Sequence, residues 1–292
     1  MSIIWVGSSY RLAPVLWTPL NIPTTDRKLF VDPADTANIT ISGGLVTALT
    51  SAEGLSFTSP SGSQPAYNAT GLNNKPTFDY TADYLQSTAA APAWKYLHDG
   101  TLVAVYMLVK PGIVADPNAF YWLLGTAGLG AQTGFALAYD DRAVSSRNNR
   151  VRHVIFTGGT ASIDTNLAAY DNFLPANTYS ILTVRSDPAN ATAANRSRME
   201  CNAGTTLAAN ASTNTPSTAN PFGTLWIGNN PGTPSAFTGG MGPLLILAGA
   251  NAHSTDYRQR FEGWVAHQYY RLQGQAVPLP SGHPYSTDPP YV

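Results

Sequence analysis

The chain reads as all-β: a two-sheet antiparallel sandwich or jelly roll, closed by one C-terminal helix and preceded by an N-terminal arm. Three observations lead there. Short runs of β-branched and aromatic residues, separated by Gly, Pro and Asn turn signals, recur from about residue 40 to residue 250. An apolar stripe of helical period follows near the end. Charged residues make up only 11% of the chain, against roughly 25% in ordinary soluble domains, with 25 Gly, 22 Pro and many Ser, Thr, Asn and Ala around them. That is the composition of an extracellular or virion β protein, kept in solution by hydroxyls and amides.

Taken in order, residues 1–16 read as an arm for attachment or oligomer contact. Ile3, Ile4, Trp5 and Val6 are apolar with no periodic partner nearby, so they need another surface to pack on. The opening lacks a basic n-region and is read as an arm rather than a signal peptide. Residues 17–292 read as one domain. Thr40-Ile41 and 44–49 flank a Ser42-Gly43-Gly44 turn, and 77–80 and 83–87 flank another. Leu102–Lys110 is the clearest buried strand, stopped by Pro111-Gly112. Strands over 119–124, 134–139, 152–156 and 179–185 follow, then a hairpin of 198–202 with 205–209, then 225–228 and 243–248. Tyr257, Phe261, Trp264, Val265 and Leu272 form the helical stripe, with Ser254 or Thr255 as cap and Gly274 suited to the end. The polar side of that helix is expected to expose Arg258, Arg260, Glu262 and His267. His283-Pro284-Tyr285 is expected to staple the C-terminus to a sheet edge.

Several function classes drop out. A net charge of −1 gives no case for nucleic acid or an anionic membrane. No apolar run reaches the roughly 20 residues that span a bilayer. The single Cys201 leaves no disulfide framework and no Cys-based zinc site. The chain has three glutamates, Glu53, Glu200 and Glu262, far apart in sequence, so no paired-glutamate glycosidase motif exists. Asp140-Asp141 or Asp32/Asp35, paired with a distant carboxylate, keeps an Asp-based polysaccharide depolymerase open, although Asp140-Asp141 followed by Arg142 reads more simply as a turn.

Three motifs occur in order. Trp17-Thr18-Pro19 is followed by the acidic pair of Val31-Asp32-Pro33-Ala34-Asp35. Next comes Pro76-Thr77-Phe78-Asp79-Tyr80-Thr81-Ala82-Asp83-Tyr84-Leu85. The end combines Glu262-Gly263-Trp264 with Leu279-Pro280-Ser281-Gly282-His283-Pro284-Tyr285 and Pro289-Pro290. Across residues 17–290 this resembles the concanavalin A-like, laminin G-like jelly-roll domains of bacteriophage structural proteins and large bacterial surface proteins. The stretch 239–245 before the helix and His267-Gln268 after it depart from that family's pattern. The resemblance implies a non-enzymatic protein on the virion surface, serving as decoration, fibre or tail component. Its implied partners are other virion proteins, sister copies in a homo-oligomer, and host glycan. A carbohydrate-binding adhesin module is the alternative, the depolymerase a further one.

No cofactor is expected. Calcium is the one metal considered, since relatives of this kind bind it at a rim loop; Asp140 and Asp141 are the candidate ligands, with the Arg142, Arg147, Arg150 and Arg152 guanidiniums opposing a cation. For glycan, the candidates are Trp94 and Tyr96, which alternate with Lys95 and Leu97 and so share one face if extended, together with Arg142 and Asn149. Sugar recognition needs an aromatic face beside amide and charged donors. The competing reading puts Trp94 and Tyr96 in the core.

Overall fold

The computed structural model describes residues 3–6, 9–12, 14–112, 121–128, 130–140, 149–159, 161–164, 172–208, 215–232, 235–270 and 278–292. The strands run in chain order: β1 (Ile3–Val6), β2 (Ser9–Leu12), β3 (Arg27–Val31), β4 (Ile39–Ser42), β5 (Leu45–Thr50), β6 (Ser56–Thr58), β7 (Ala66–Leu72), β8 (Lys75–Thr81) and β9 (Leu85–Ser87). They continue with β10 (Val103–Pro111), β11 (Tyr121–Gly125), β12 (Thr133–Asp140), β13 (Arg150–Thr157) and β14 (Ala161–Asp164). After these come β15 (Ser180–Ser186), β16 (Ser197–Cys201), β17 (Leu207–Ala208), β18 (Trp226–Ile227) and β19 (Thr238–Ala248). Helix α1 spans Thr255–Val265 and continues as a wider π turn over Ala266–Tyr270. The protein is all-β and antiparallel with one C-terminal helix.

β10 lies at the centre of one group of strands, between β15 and β19, and β19 pairs in turn with β3 and β8. A second group runs β6–β9–β18–β11–β12–β13–β14. Strands alternate their side chains, so each of these presents two faces. On β10, Val103, Val105, Met107 and Val109 enter one core together with Phe135, Leu137 and Tyr139 of β12. Ala104, Tyr106 and Leu108 point the other way, into a second core beneath Phe261, Trp264 and Val265 of α1. This is why 102–110 reads as an unbroken apolar run: both faces are covered. The far side of β12 and β13 holds a third, smaller cluster of Trp122, Ala136, Ala138, Val154 and Phe156.

Several expectations need correction. The segments 77–80 and 83–87 do flank a turn, and each pairs elsewhere, β8 with β7 and β19, β9 with β6 and β18. The turn between them is built by Asp83, whose Oδ2 accepts from the Thr81 amide at 2.8 Å and the Thr81 hydroxyl at 2.9 Å, with Ala82 left-handed at φ 70°. On α1, Ser254 does cap, accepting from the Tyr257 amide at 3.3 Å. Glu262 and His267 are buried rather than exposed. Glu262 faces β15, where Thr183 donates to it at 3.3 Å, and the His283 ring lies 3.2 Å from its other oxygen. The tail therefore staples to the helix rather than to a sheet edge. Gly263 permits this, because a Cβ there would stand 2.5 Å from the Tyr285 Cβ. Gly274 lies outside the described residues.

Burial of histidines makes the fold acid-sensitive. His153 on β13 is enclosed, and burial pushes its pKa down to about 3. Burial likewise lowers His98 and His253. A neutral form favoured only in the folded state gives stability that is present above the unfolded value, about 6.5, and is lost as pH falls from there toward about 3. Asp32 acts in the opposite sense: burial raises its pKa, so acidification relieves it. Urea midpoints measured from about pH 7 to about pH 4 should fall steadily, and His153→Gln should flatten the slope.

Candidate functional site

The aromatic candidates do not sit on a strand. Ala91–Leu97 forms a 3₁₀ helix, whose three-residue turn places Trp94 and Leu97 on one side, and both are buried. Trp94, 1% exposed, belongs to the main core, its ring 6.1 Å from that of Phe57. Tyr96 is half-buried, and burial, with the nearby Glu53 carboxylate adding to it, raises its pKa. Both line an open cleft of about 490 Å³ with Thr24, Arg27, Lys28 and Glu53. The charges of that cleft are already engaged. Glu53 pairs with the Arg27 guanidinium and accepts from the Phe30 amide at 2.7 Å. Arg27 also donates to the Pro19 and Ile22 carbonyls at 3.0 and 3.2 Å, and Lys28 to the Thr25 carbonyl at 2.6 Å.

The other sequence candidates lie elsewhere. Asn149, left-handed at φ 49°, accepts from the Tyr139 hydroxyl and is not part of the cleft wall. Asp140 is the last residue of β12, fully buried and in register with Arg150 rather than in an open turn. Asp141 and Arg142 lie outside the described residues. Among the described residues no group of three or more His, Cys, Asp or Glu is placed to hold a metal. The arm residues Ile3, Ile4, Trp5 and Val6 form β1, which pairs with β2 in a separate two-stranded sheet.

A second cleft, about 470 Å³, shares Ala52 with the first. Its polar side is the turn that follows β3. Asp32 directly follows the strand, and its backbone carbonyl accepts from the Asp35 amide at 3.0 Å. Its Oδ1 accepts from the Ala34 amide at 2.9 Å and from the Tyr269 hydroxyl at 2.7 Å. Both bonds end on Oδ1, and Asp32 lies in the cleft wall. Asp35 starts the short 3₁₀ turn Thr36–Asn38, and its Oδ2 accepts from the Asn38 amide group at 2.8 Å. Thr18 and Thr50 add hydroxyls. The apolar side is Phe30, Ile39, Trp264 and the exposed Leu20. Phe30 and Trp264 meet edge to face at 5.8 Å, which fixes both rings. Burial, and secondarily the Asp35 charge, raises the Asp32 pKa against the bonds from Ala34 and Tyr269.

Carboxylate acceptors, an amide and hydroxyls facing an apolar wall suit a polyhydroxylated ring, which offers hydroxyls at its rim and C–H groups on its faces. The Asp32/Asp35 pair was visible in the sequence. Trp264 and Leu20 were not, because nothing in their spacing tells that α1 and the 19–21 turn close over the end of β3.

The remaining glutamates are structural. Glu200 is held by Arg185, by Arg258 and by the Thr206 hydroxyl at 2.7 Å. Glu262 is held by Thr183 and His283. The Nδ1 of His283 accepts from the Tyr285 amide at 3.2 Å, so the ring proton sits on Nε2 and is directed at Glu262.

No family model matches the chain, and no curated protein matches it. Among solved structures, it is similar to domain 4 of the extracellular arabinanase AbnA from Geobacillus stearothermophilus, solved with arabinotriose. There the TM-score is 0.48 and the identity 10%, over 80% of this chain and 98% of that one. Trypanosoma rangeli sialidase with sialic acid gives a TM-score of 0.48 and 11% identity, over 85% of this chain and 35% of that one. The binding domain of botulinum neurotoxin serotype D gives 0.47 and 9%, over 80% and 51%. At such scores neither a ligand nor a residue role passes to this chain.

Proposed function

We propose that this chain is a non-enzymatic structural protein of a phage virion, displayed on the particle surface, and that it adheres to host glycan through the Asp32 cleft. In this reading the antiparallel strands make a two-sheet jelly-roll sandwich over residues 17–292, and residues 1–16 attach it to other virion proteins or sister copies. The observation that carries the glycan reading is Asp32: a half-buried carboxylate in the cleft wall, whose Oδ1 is held by the Ala34 amide and the Tyr269 hydroxyl. Asp32→Asn keeps the shape and the Oδ1 acceptor but removes the charge. It should weaken binding to host-surface polysaccharide about tenfold or more without lowering the melting temperature. Equal binding by Asp32→Asn and the wild type would refute the site. The depolymerase alternative also draws on this cleft, since Asp35 stands beside a carboxyl of raised pKa. Reducing ends should be followed in the same incubation; their release, and its loss in Asp35→Asn, would replace adhesion by hydrolysis.

The arm has its own support. Its base is tied to the tail by the Val292 amide on the Val15 carbonyl and the Trp17 amide on the Pro290 carbonyl, both 2.9 Å. Around that base Val15, Leu16, Tyr291 and Val292 are exposed apolar residues, a surface that a neighbouring subunit would cover. Deleting residues 1–13 leaves both bonds in place. The truncated protein should fold with an unchanged melting temperature yet fail to incorporate into particles; normal incorporation would sink the arm's role.

A further inference from the structure

The two clefts lie end to end along β3. The first is walled by Arg27 and Lys28 at the start of that strand, the second by Phe30, Val31 and Asp32 at its end and just beyond. At roughly 3.3 Å per residue, Lys28 and Asp32 are about 13 Å apart. What divides the clefts is the turn after β5. Its Ala52 amide donates to the Phe30 carbonyl at 3.0 Å, and Glu53 of the same turn accepts from the Phe30 amide at 2.7 Å. Ala52 is exposed and borders both clefts, so the divide carries only a methyl group there. The same two bonds occupy the edge of β3 at Phe30, so an extended peptide finds no free backbone pair to add to at that point. In the first cleft, Leu55, Ala93 and Tyr96 make an apolar side, with Thr24 and Lys28 as polar groups. An ammonium has three donors, and only the neutral Thr25 carbonyl takes one from Lys28 among the described residues.

We propose that the two clefts form one groove for a linear polysaccharide, with successive sugars running from Lys28 over Ala52 to Asp32. This rests on the glycan reading of the Asp32 cleft and adds the length and course of its ligand. Each cleft alone, about 490 and 470 Å³, is the size of a small-molecule site. Both repeat one chemistry, an apolar side facing groups that bind hydroxyls: Lys28 and Thr24 in the first, Asp32, Asp35 and Thr50 in the second. A chain that engages both is held as two linked ligands, so it binds more tightly than a fragment that fills one. A longer side chain at Ala52 would stand in its way.

The test is calorimetric titration of the full chain with disaccharide and hexasaccharide fragments of the host-surface polysaccharide, and with a mixed decapeptide pool. The hexasaccharide should bind wild type about tenfold or more tighter than the disaccharide. Ala52→Trp raises the divide while keeping the backbone bond to Phe30, and it should remove most of that advantage. Lys28→Ala, which changes the first cleft alone, should do the same. Melting curves establish that each variant is folded; if Ala52→Trp is not, Lys28→Ala decides. The groove is overturned if the hexasaccharide binds no tighter than the disaccharide, if either folded variant keeps the full advantage, or if only the peptides bind. Disaccharide binding that is lost in Asp32→Asn, with no advantage for the hexasaccharide, would keep the Asp32 cleft and reject the groove. Binding of neither sugar fragment would reject both.

Discussion

Glu200→Ala is expected to destabilise the protein by about 3–5 kcal/mol, among the largest effects of any single substitution here. Glu200 is 1% exposed, and its two oxygens serve the Arg185 and Arg258 guanidiniums, whose side chains are 15% and 19% exposed. Thr206 adds a third donor. Arg185 comes from β15, Glu200 from β16 and Arg258 from α1, so this carboxylate joins the helix to the sheet. Its removal leaves two mostly buried cations facing each other without a counter-charge. For a chain of this size the loss corresponds to roughly 6–10 °C in melting temperature. Glu200→Gln should recover part of it, since an amide oxygen still accepts from one guanidinium. Arg258→Met in the Glu200→Ala background should also restore stability, because it removes one of the two stranded charges. A melting temperature unchanged by Glu200→Ala would mean that water replaces the carboxylate and that the pairs contribute nothing.

Trp94→Ala should cost a further about 3–5 kcal/mol, the usual price of emptying a large aromatic from a packed core. Trp94 sits between the 3₁₀ helix and Phe57, with its ring 6.3 Å from that of Tyr96. Loss of sugar binding in Trp94→Ala would therefore report on folding and not on a contact. Tyr96→Phe separates the two questions. The Tyr96 hydroxyl is buried without a partner among the described residues, so deleting it should be neutral or slightly stabilising. Urea denaturation distinguishes them: a large fall in midpoint for Trp94→Ala, none for Tyr96→Phe. A Trp94→Ala protein as stable as wild type would mean the cavity collapses freely, contrary to its core position.

What the sequence determined is whatever depends on local pattern. The apolar run from Leu102 to Lys110 read as the clearest buried strand, and β10 is that strand, covered on both faces. Gly43-Gly44 marked a hairpin, Ser254 a helix cap, and Asp83 a turn, because each of those conformations needs a particular residue at a particular place. The acidic pair Asp32/Asp35 stood out only as part of a motif and as a catalytic candidate, while the glycan candidates were placed at Trp94, Tyr96, Arg142 and Asn149. Tertiary structure alone decided what those elements meet. Trp94 and Tyr96 alternate in sequence, yet a 3₁₀ turn sent Trp94 inward, since Leu97 three residues on completes its buried side. Glu262 looked solvent-facing by helical period, yet His283, some twenty residues away, closes over it. Tyr84 and Trp226, more than a hundred residues apart, became one stack only because β9 and β18 pair. Strand pairing and burial are set by long-range packing of the whole chain, and residue spacing along one segment carries no record of which distant segment will lie against it.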